Sequence, residues 1–110
     1  MEIKNVPFNT TNWSQIAPTE HPGATGAAFW RTIEIGNLRV RMVEYSPGYS
    51  ADHWCSRGHV LLVLEGELQV ELKDGRKFVL TAGTSYQGED NEANPHRSCT
   101  QTGVKLFIVD

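Results

Sequence analysis

The chain has 110 residues, 39% hydrophobic and 21% charged, proportions ordinary for a single globular domain that needs no metal or disulfide staple to hold its core. Thirteen acidic residues outnumber ten Lys and Arg for a formal net charge of -3, which excludes a strongly basic chain built around nucleic-acid phosphates. The longest apolar run, residues 60–64, falls far short of the roughly 18 that a membrane span needs, and the first eleven residues lack the apolar stretch of a secretory leader, so the expected location is cytoplasmic.

Residues 1–27 are rich in Asn, Thr, Pro and Gly, and only Thr-Asn-Trp-Ser-Gln near Trp13 and Ile16 predicts a turn of helix. They read as an irregular arm lying across the domain. From residue 28 to 110, short runs rich in Val, Ile, Leu, Phe and Tyr alternate with Gly, Pro and Asn punctuation, the pattern of strands. Phe29 to Ile35 and Leu38 to Tyr45 flank Gly36-Asn37, a two-residue hairpin signal. In the second run Leu38, Val40 and Met42 share one face, and Arg39, Arg41, Val43 and Tyr45 the other. Ser46-Pro47-Gly48 stops it, because proline lacks the ladder donor and glycine permits a positive φ. Val60 to Leu64 continues through Glu65-Gly66-Glu67 into Leu68, Val70 and Leu72, and Lys73-Asp74-Gly75 turns the chain toward Phe78 to Leu80. Further strands are expected near Thr84 to Gln87, Arg97 to Thr100 and Val104 to Val109. No stretch sustains a helical period, so the class is all-β, and the edges of such a sheet must be protected by closure into a small β-barrel or by doubling into a jelly roll.

Three of the four histidines fall where such a fold could converge them. His53 and His59 bracket His53-Trp54-Cys55-Ser56-Arg57-Gly58-His59, and His96 follows 37 residues later. If the first segment is a strand, His53 and Cys55 share a face with Trp54 opposite. Cys55 is then a candidate sulfur ligand, whereas Cys99, three residues past His96, points away and reads as a packing residue. His21 lies in the arm as a surface residue or as a group closing over the mouth. Gly23 to Gly26 is no phosphate loop, since no strand precedes it and no Lys-Ser/Thr follows. No nucleophile, base and orienter set is visible, which disfavours hydrolase chemistry.

The segment from Pro47-Gly48 through His53 to Leu64-Glu65-Gly66-Glu67-Leu68 resembles the first motif of the cupin superfamily, in which a Gly, a His-x-His pair and a Glu precede an apolar run closing in Gly. On this sequence the first His falls on His53, the second on Cys55 and the Glu on His59. The second motif, ending in a histidine after a Pro-rich turn, resembles Gly83 through Pro95-His96-Arg97. The chain is similar in more detail to the small bacterial DHCW-motif cupins, named for Asp, His, Cys and Trp residues that stand here as Asp52-His53-Trp54-Cys55; the likeness covers most of the chain. It implies a single-domain cupin over residues 28–110. Cupins include dioxygenases, isomerases, sugar-binding proteins and storage proteins, so no single reaction comes with the resemblance.

The metal set so expected is His53, Cys55, His59 and His96. With all four bound, the His₃Cys site suits a closed zinc centre, or nickel and iron with distortion. With Cys55 outside the shell, three imidazoles leave open positions for a substrate on zinc, iron, nickel or manganese. Trp30, Arg41, Tyr45 and Tyr86 are candidates to line the mouth, where aromatic rings and a guanidinium suit a small organic anion. Trp54 is expected to pack between sheets or at an interface. The reading is a metal-binding cupin that takes a small polar metabolite at a histidine-rich site; the alternative is a non-catalytic binding module with no metal or only a structural one. Whether it is an enzyme stays open. A homodimer is expected, with the strand from Lys105 to Val109 offering an edge, and neither nucleic acid nor membrane is an expected partner.

Overall fold

The structure, a computed structural model, describes residues 2–110. Among these residues eight antiparallel strands run in chain order as β1 (Thr19–Pro22), β2 (Ala27–Ile35), β3 (Leu38–Tyr45), β4 (His59–Leu72), β5 (Lys77–Thr81), β6 (Ser85–Gly88), β7 (His96–Cys99) and β8 (Val104–Val109). Among the described residues the one helical element is a 3-10 turn at Trp13–Gln15, capped by the Asn12 side chain, which accepts from Ser14 N–H at 3.1 Å. Strand β1 lies inside the segment read as irregular: Thr19 to Pro22 pair with Trp30 to Ala27, and so short a strand containing Pro leaves no periodicity to detect. Among the described residues no helix is long and apolar enough to cross a membrane.

The path of hydrogen-bonded neighbours is β1-β2-β3-β8-β4-β5, with β6 and β7 also paired to β4. The first half of β4 lies between β8 and β6, and its second half between β5 and β7. One 14-residue strand therefore serves two sheets. The change of sheet falls where the register with β8 slips, between Val63 and Glu65. Before the slip the buried positions of β4 are Leu61 and Val63; after it they are Leu68 and Val70. A bulge exchanges odd for even inward positions, so both halves face the same core. Gly66 follows the bulge with φ 84, and a Cβ there would collide with the Gly103 carbonyl, so the corner requires glycine. Leu61, Val63, Leu68 and Leu106 are the largest fully buried side chains, packed with Val43, Val70, Leu80, Val104 and Ile108.

Of the two ways of protecting edges the chain takes doubling: the sheet folds across β4 and does not close into a barrel. One expectation is corrected. Strand β8 is bonded on one side to β3 and on the other to β4, so it is a central strand and offers no edge to a partner. The second correction concerns residues 50–58. They form a loop with isolated bridges at Ser50 and Cys55 and bends at 52 and 53, so strand alternation does not apply to His53 and Cys55.

Candidate metal centre

Three elements deliver the donors. The loop after β3 is tied to β7 by a reciprocal pair, Cys55 N–H to the His96 carbonyl at 2.6 Å and His96 N–H to the Cys55 carbonyl at 2.9 Å. This bridge places Cys55 directly across from the first residue of β7. His59 opens β4 on the inward face continued by Leu61 and Val63, and its side chain is 8% exposed. Gly58 before it has its N–H held by the Asp90 carboxylate at 2.6 Å, against backbone that would clash with any Cβ. The ligand atoms of Cys55, His59 and His96 all lie within 4.8 Å of one another, a donor cluster compatible with metal binding. His53 does not join it: its side chain is 72% exposed on the rim, with Nδ1 2.7 Å from Asp52.

The His59 imidazole is set by Asp110. His59 Nδ1 lies 2.8 Å from Asp110 Oδ2, and His59 Nε2 lies 3.0 Å from His96 Nε2. Burial lowers the His59 pKa from its ordinary value, outweighing the carboxylate's opposing pull, so the ring is neutral at pH 7. A carboxylate only accepts, so Nδ1 carries the proton and Nε2 presents a lone pair. Burial, with the His59 ring beside it, lowers His96 to about 4, which keeps that ring neutral too. The Tyr86 hydroxyl stands 3.4 Å from the same His96 Nε2, and burial raises the phenol pKa, so it stays protonated. Two imidazole nitrogens on one divalent ion, each at about 2.0 to 2.1 Å, stand roughly 3.0 to 3.4 Å apart. The His59–His96 separation fits that spacing.

Asp110 is the residue that sequence reasoning missed. Its side chain is 2% exposed and shared by three arginines. Arg39 binds both carboxylate oxygens at 2.7 and 2.9 Å, Arg41 Nη2 reaches Oδ2 at 3.1 Å, and Arg57 Nε stands 3.5 Å from Oδ2. Burial by itself would raise the Asp110 pKa; the Arg39 and His59 hydrogen bonds and the Arg41 charge overcome it and hold the carboxyl well below its usual range. The signal was present: Val104, Leu106 and Ile108 are the buried positions of β8, and Asp110 continues that even-numbered face.

The donors open on a cavity of about 290 Å³. Trp30, Arg41, Tyr45 and Tyr86 line it, together with Tyr49, Arg39 and Arg57. The Arg41 guanidinium sits 4.5 Å from the Trp30 ring centre, and the His21 ring stacks on Trp30 at 3.8 Å. Tyr45 stacks on Tyr49 at 4.2 Å. His59, His96 and Tyr86 also line a second cavity of about 240 Å³ with Val70, Leu72 and Phe78, so the histidine pair stands between two spaces. Cys99 faces neither, with its Sγ 3.4 Å from Gln69 Oε1, and Trp54 is covered by the Lys73 and Arg97 cations at 4.6 and 4.3 Å.

No protein-family model matches the chain, and no curated protein does. Solved structures do. An RmlC-like cupin from Shewanella frigidimarina superposes with TM-score 0.71 at 22% identity, covering 94% of this chain and 89% of that one. A predicted oxalate decarboxylase from Thermotoga maritima gives 0.74 at 14% identity over 92% and 96%. The hydroxypropylphosphonic acid epoxidase of S. wedmorenis gives 0.72 at 15% identity, covering 94% of this chain but 59% of the epoxidase. The chain has the cupin fold, and its Cys55, His59 and His96 cluster lies on the inner side of that fold.

Proposed function

We propose that the protein is a metal-binding cupin in which Cys55, His59 and His96 hold one divalent transition ion, and a small polar metabolite binds at that ion from the arginine-lined cavity. The observation that carries this reading is the His59–His96 pair: two neutral rings with Nε2 atoms 3.0 Å apart, one locked in its tautomer by Asp110 at 2.8 Å. A histidine that donates its far nitrogen to a carboxylate is oriented and made more basic toward a metal. Three protein donors leave room for a ligand, which supports an open centre over a closed structural one. A bound ion would supply Lewis acidity or redox chemistry. The chain's own contribution is to orient His59 through Asp110, to keep the Tyr86 hydroxyl protonated at the site, and to wall it with Trp30, Tyr45 and Tyr49.

Metal analysis of protein purified without a histidine tag tests the reading. The expected result is one ion per chain, lost in His59→Ala and in His96→Ala. A folded protein that takes up neither Zn(II), Fe(II), Ni(II) nor Mn(II) overturns it in favour of a metal-free binding module. Homodimer formation is proposed separately through the outer strand β1, which pairs only with β2, since β8 is interior; a monomer in sedimentation would remove it.

A further inference from the structure

The cavity beside the donors carries an uneven charge. Arg39, Arg41, Arg57 and Arg97 line it, and none of the other side chains lining it is acidic. Arg97 is paired with Glu71 at 2.9 Å. The remaining three share the single carboxylate of Asp110, which leaves two positive charges without a counter-ion there. They are not equally engaged. Arg39 is committed to Asp110 by a two-pronged contact through Nε and Nη2. Arg41 gives that carboxylate only one Nη2 bond, and its Nε is a buried donor with no partner, on a residue 4% exposed. Arg57 touches Asp110 only at 3.5 Å, and half of its side chain is open.

A buried guanidinium nitrogen without an acceptor costs stability unless something else accepts from it. Protein interiors tolerate such a group where a ligand completes it. Trp30 stacks against Arg41, which fixes the plane of the guanidinium and so the direction of its donors.

We propose that Arg41 and Arg57 form an oxyanion subsite next to the metal donors, so that the ligand of this cavity is a small metabolite carrying a carboxylate or a phospho group. The inference rests on the cavity's being the ligand site, as above, but not on a metal being present. At about 290 Å³ the space lies at the lower end of ligand cavities, which restricts the occupant to a few carbons. An oxyanion accepting from Arg41 and Arg57 would bring the rest of such a molecule against Tyr86, His96 and Cys55, which line the same cavity.

Calorimetric titration of the metal-stripped protein with pyruvate, with methylphosphonate and with pyruvamide as the uncharged match tests it. One anion per chain should bind, pyruvamide should not, and added salt should weaken the binding; whichever anion binds more tightly assigns the group. Arg57→Gln, at a half-open position, should fold normally and weaken that anion by about tenfold, the loss expected for one charge-assisted contact. Arg41→Lys keeps the charge but loses the fork and should weaken it similarly. Equal binding of pyruvamide, no binding of either anion, or an unchanged affinity in Arg57→Gln overturns the proposal. Metal content measured on the same samples separates the two readings: anion binding without metal uptake removes the metal centre alone, and metal uptake with no preference for the anions removes the subsite alone.

Discussion

Asp110 stands 2.8 Å from His59 through one oxygen and is gripped by Arg39 through both. The same carboxylate thus orients an imidazole and offsets one of the three guanidinium charges gathered on it.

Asp110→Asn should therefore do two kinds of damage. It leaves Arg39 and Arg41 without their counter-ion where their side chains are 17% and 5% exposed, and breaking a buried pair from one side costs about 3 to 5 kcal/mol. It also frees the His59 ring, for which a 10- to 100-fold loss of metal affinity is usual. Urea unfolding and metal titration of the same variant measure both. A variant as stable as the parent would show that water replaces the carboxylate at little cost.

His53 provides the contrast. Its ring is exposed and paired with Asp52, so His53→Ala should keep both fold and bound metal, whereas His59→Ala should lose the metal. Cys55→Ser should retain partial binding, because a hydroxyl is a poorer ligand than a thiolate. Loss of metal from His53→Ala alone would require the loop to swing inward when the ion binds.

Acid should weaken the metal-free protein in a defined window. His96 titrates at about 4 in the folded state, and His59 also lies below its ordinary value, against roughly 6.5 for an unfolded histidine. The unfolded chain therefore takes up protons first as the pH drops, so stability is full above about pH 6.5 and is lost as the pH falls toward 4. The His96 share is roughly 3 kcal/mol at most. Asp110, held low, adds stability that disappears only at more acid pH. Unfolding free energies measured from pH 7.5 to 4 should slope downward, and His96→Gln should flatten that slope.

Gly66→Ala tests the corner of β4. The residue has φ 84 and its missing Cβ would meet the Gly103 carbonyl, so the substitution forces both strain and displacement. A loss of at least about 2 kcal/mol is expected, more than a glycine replacement at an unstrained site can produce. Gly75→Ala, with a positive φ but open space around it, should cost less. Equal losses at the two positions would show that the contact with Gly103 relaxes freely.

Local chemistry explains which parts of this architecture could be read from the chain. Gly36-Asn37 and Asp74-Gly75 announce hairpins through short-range backbone preferences, and β2, β3 and β5 stand beside them as expected. The site is harder because its parts meet by long-range pairing. His96 joins Cys55 only through a bridge across 41 residues, and no periodicity reveals a bridge. His53 was placed with Cys55 by assuming a strand where the chain bends. Asp110 carries no local signal of its partners, because Arg39 lies 71 residues away along the chain and only the register of β8 against β3 sets the two opposite each other.

The position of β8 has a further consequence for how the molecule is made. It is the eighth strand in chain order yet fills the slot between β3 and β4, so those two strands have no neighbour on their facing edges until residues 104–109 arrive. A nascent chain emerging from the ribosome can zip its hairpins but must leave this gap open, with Leu61, Val63 and Val43 wet, until synthesis of the final strand. The acidic group that steadies the imidazole comes from the residue directly after this late-arriving strand.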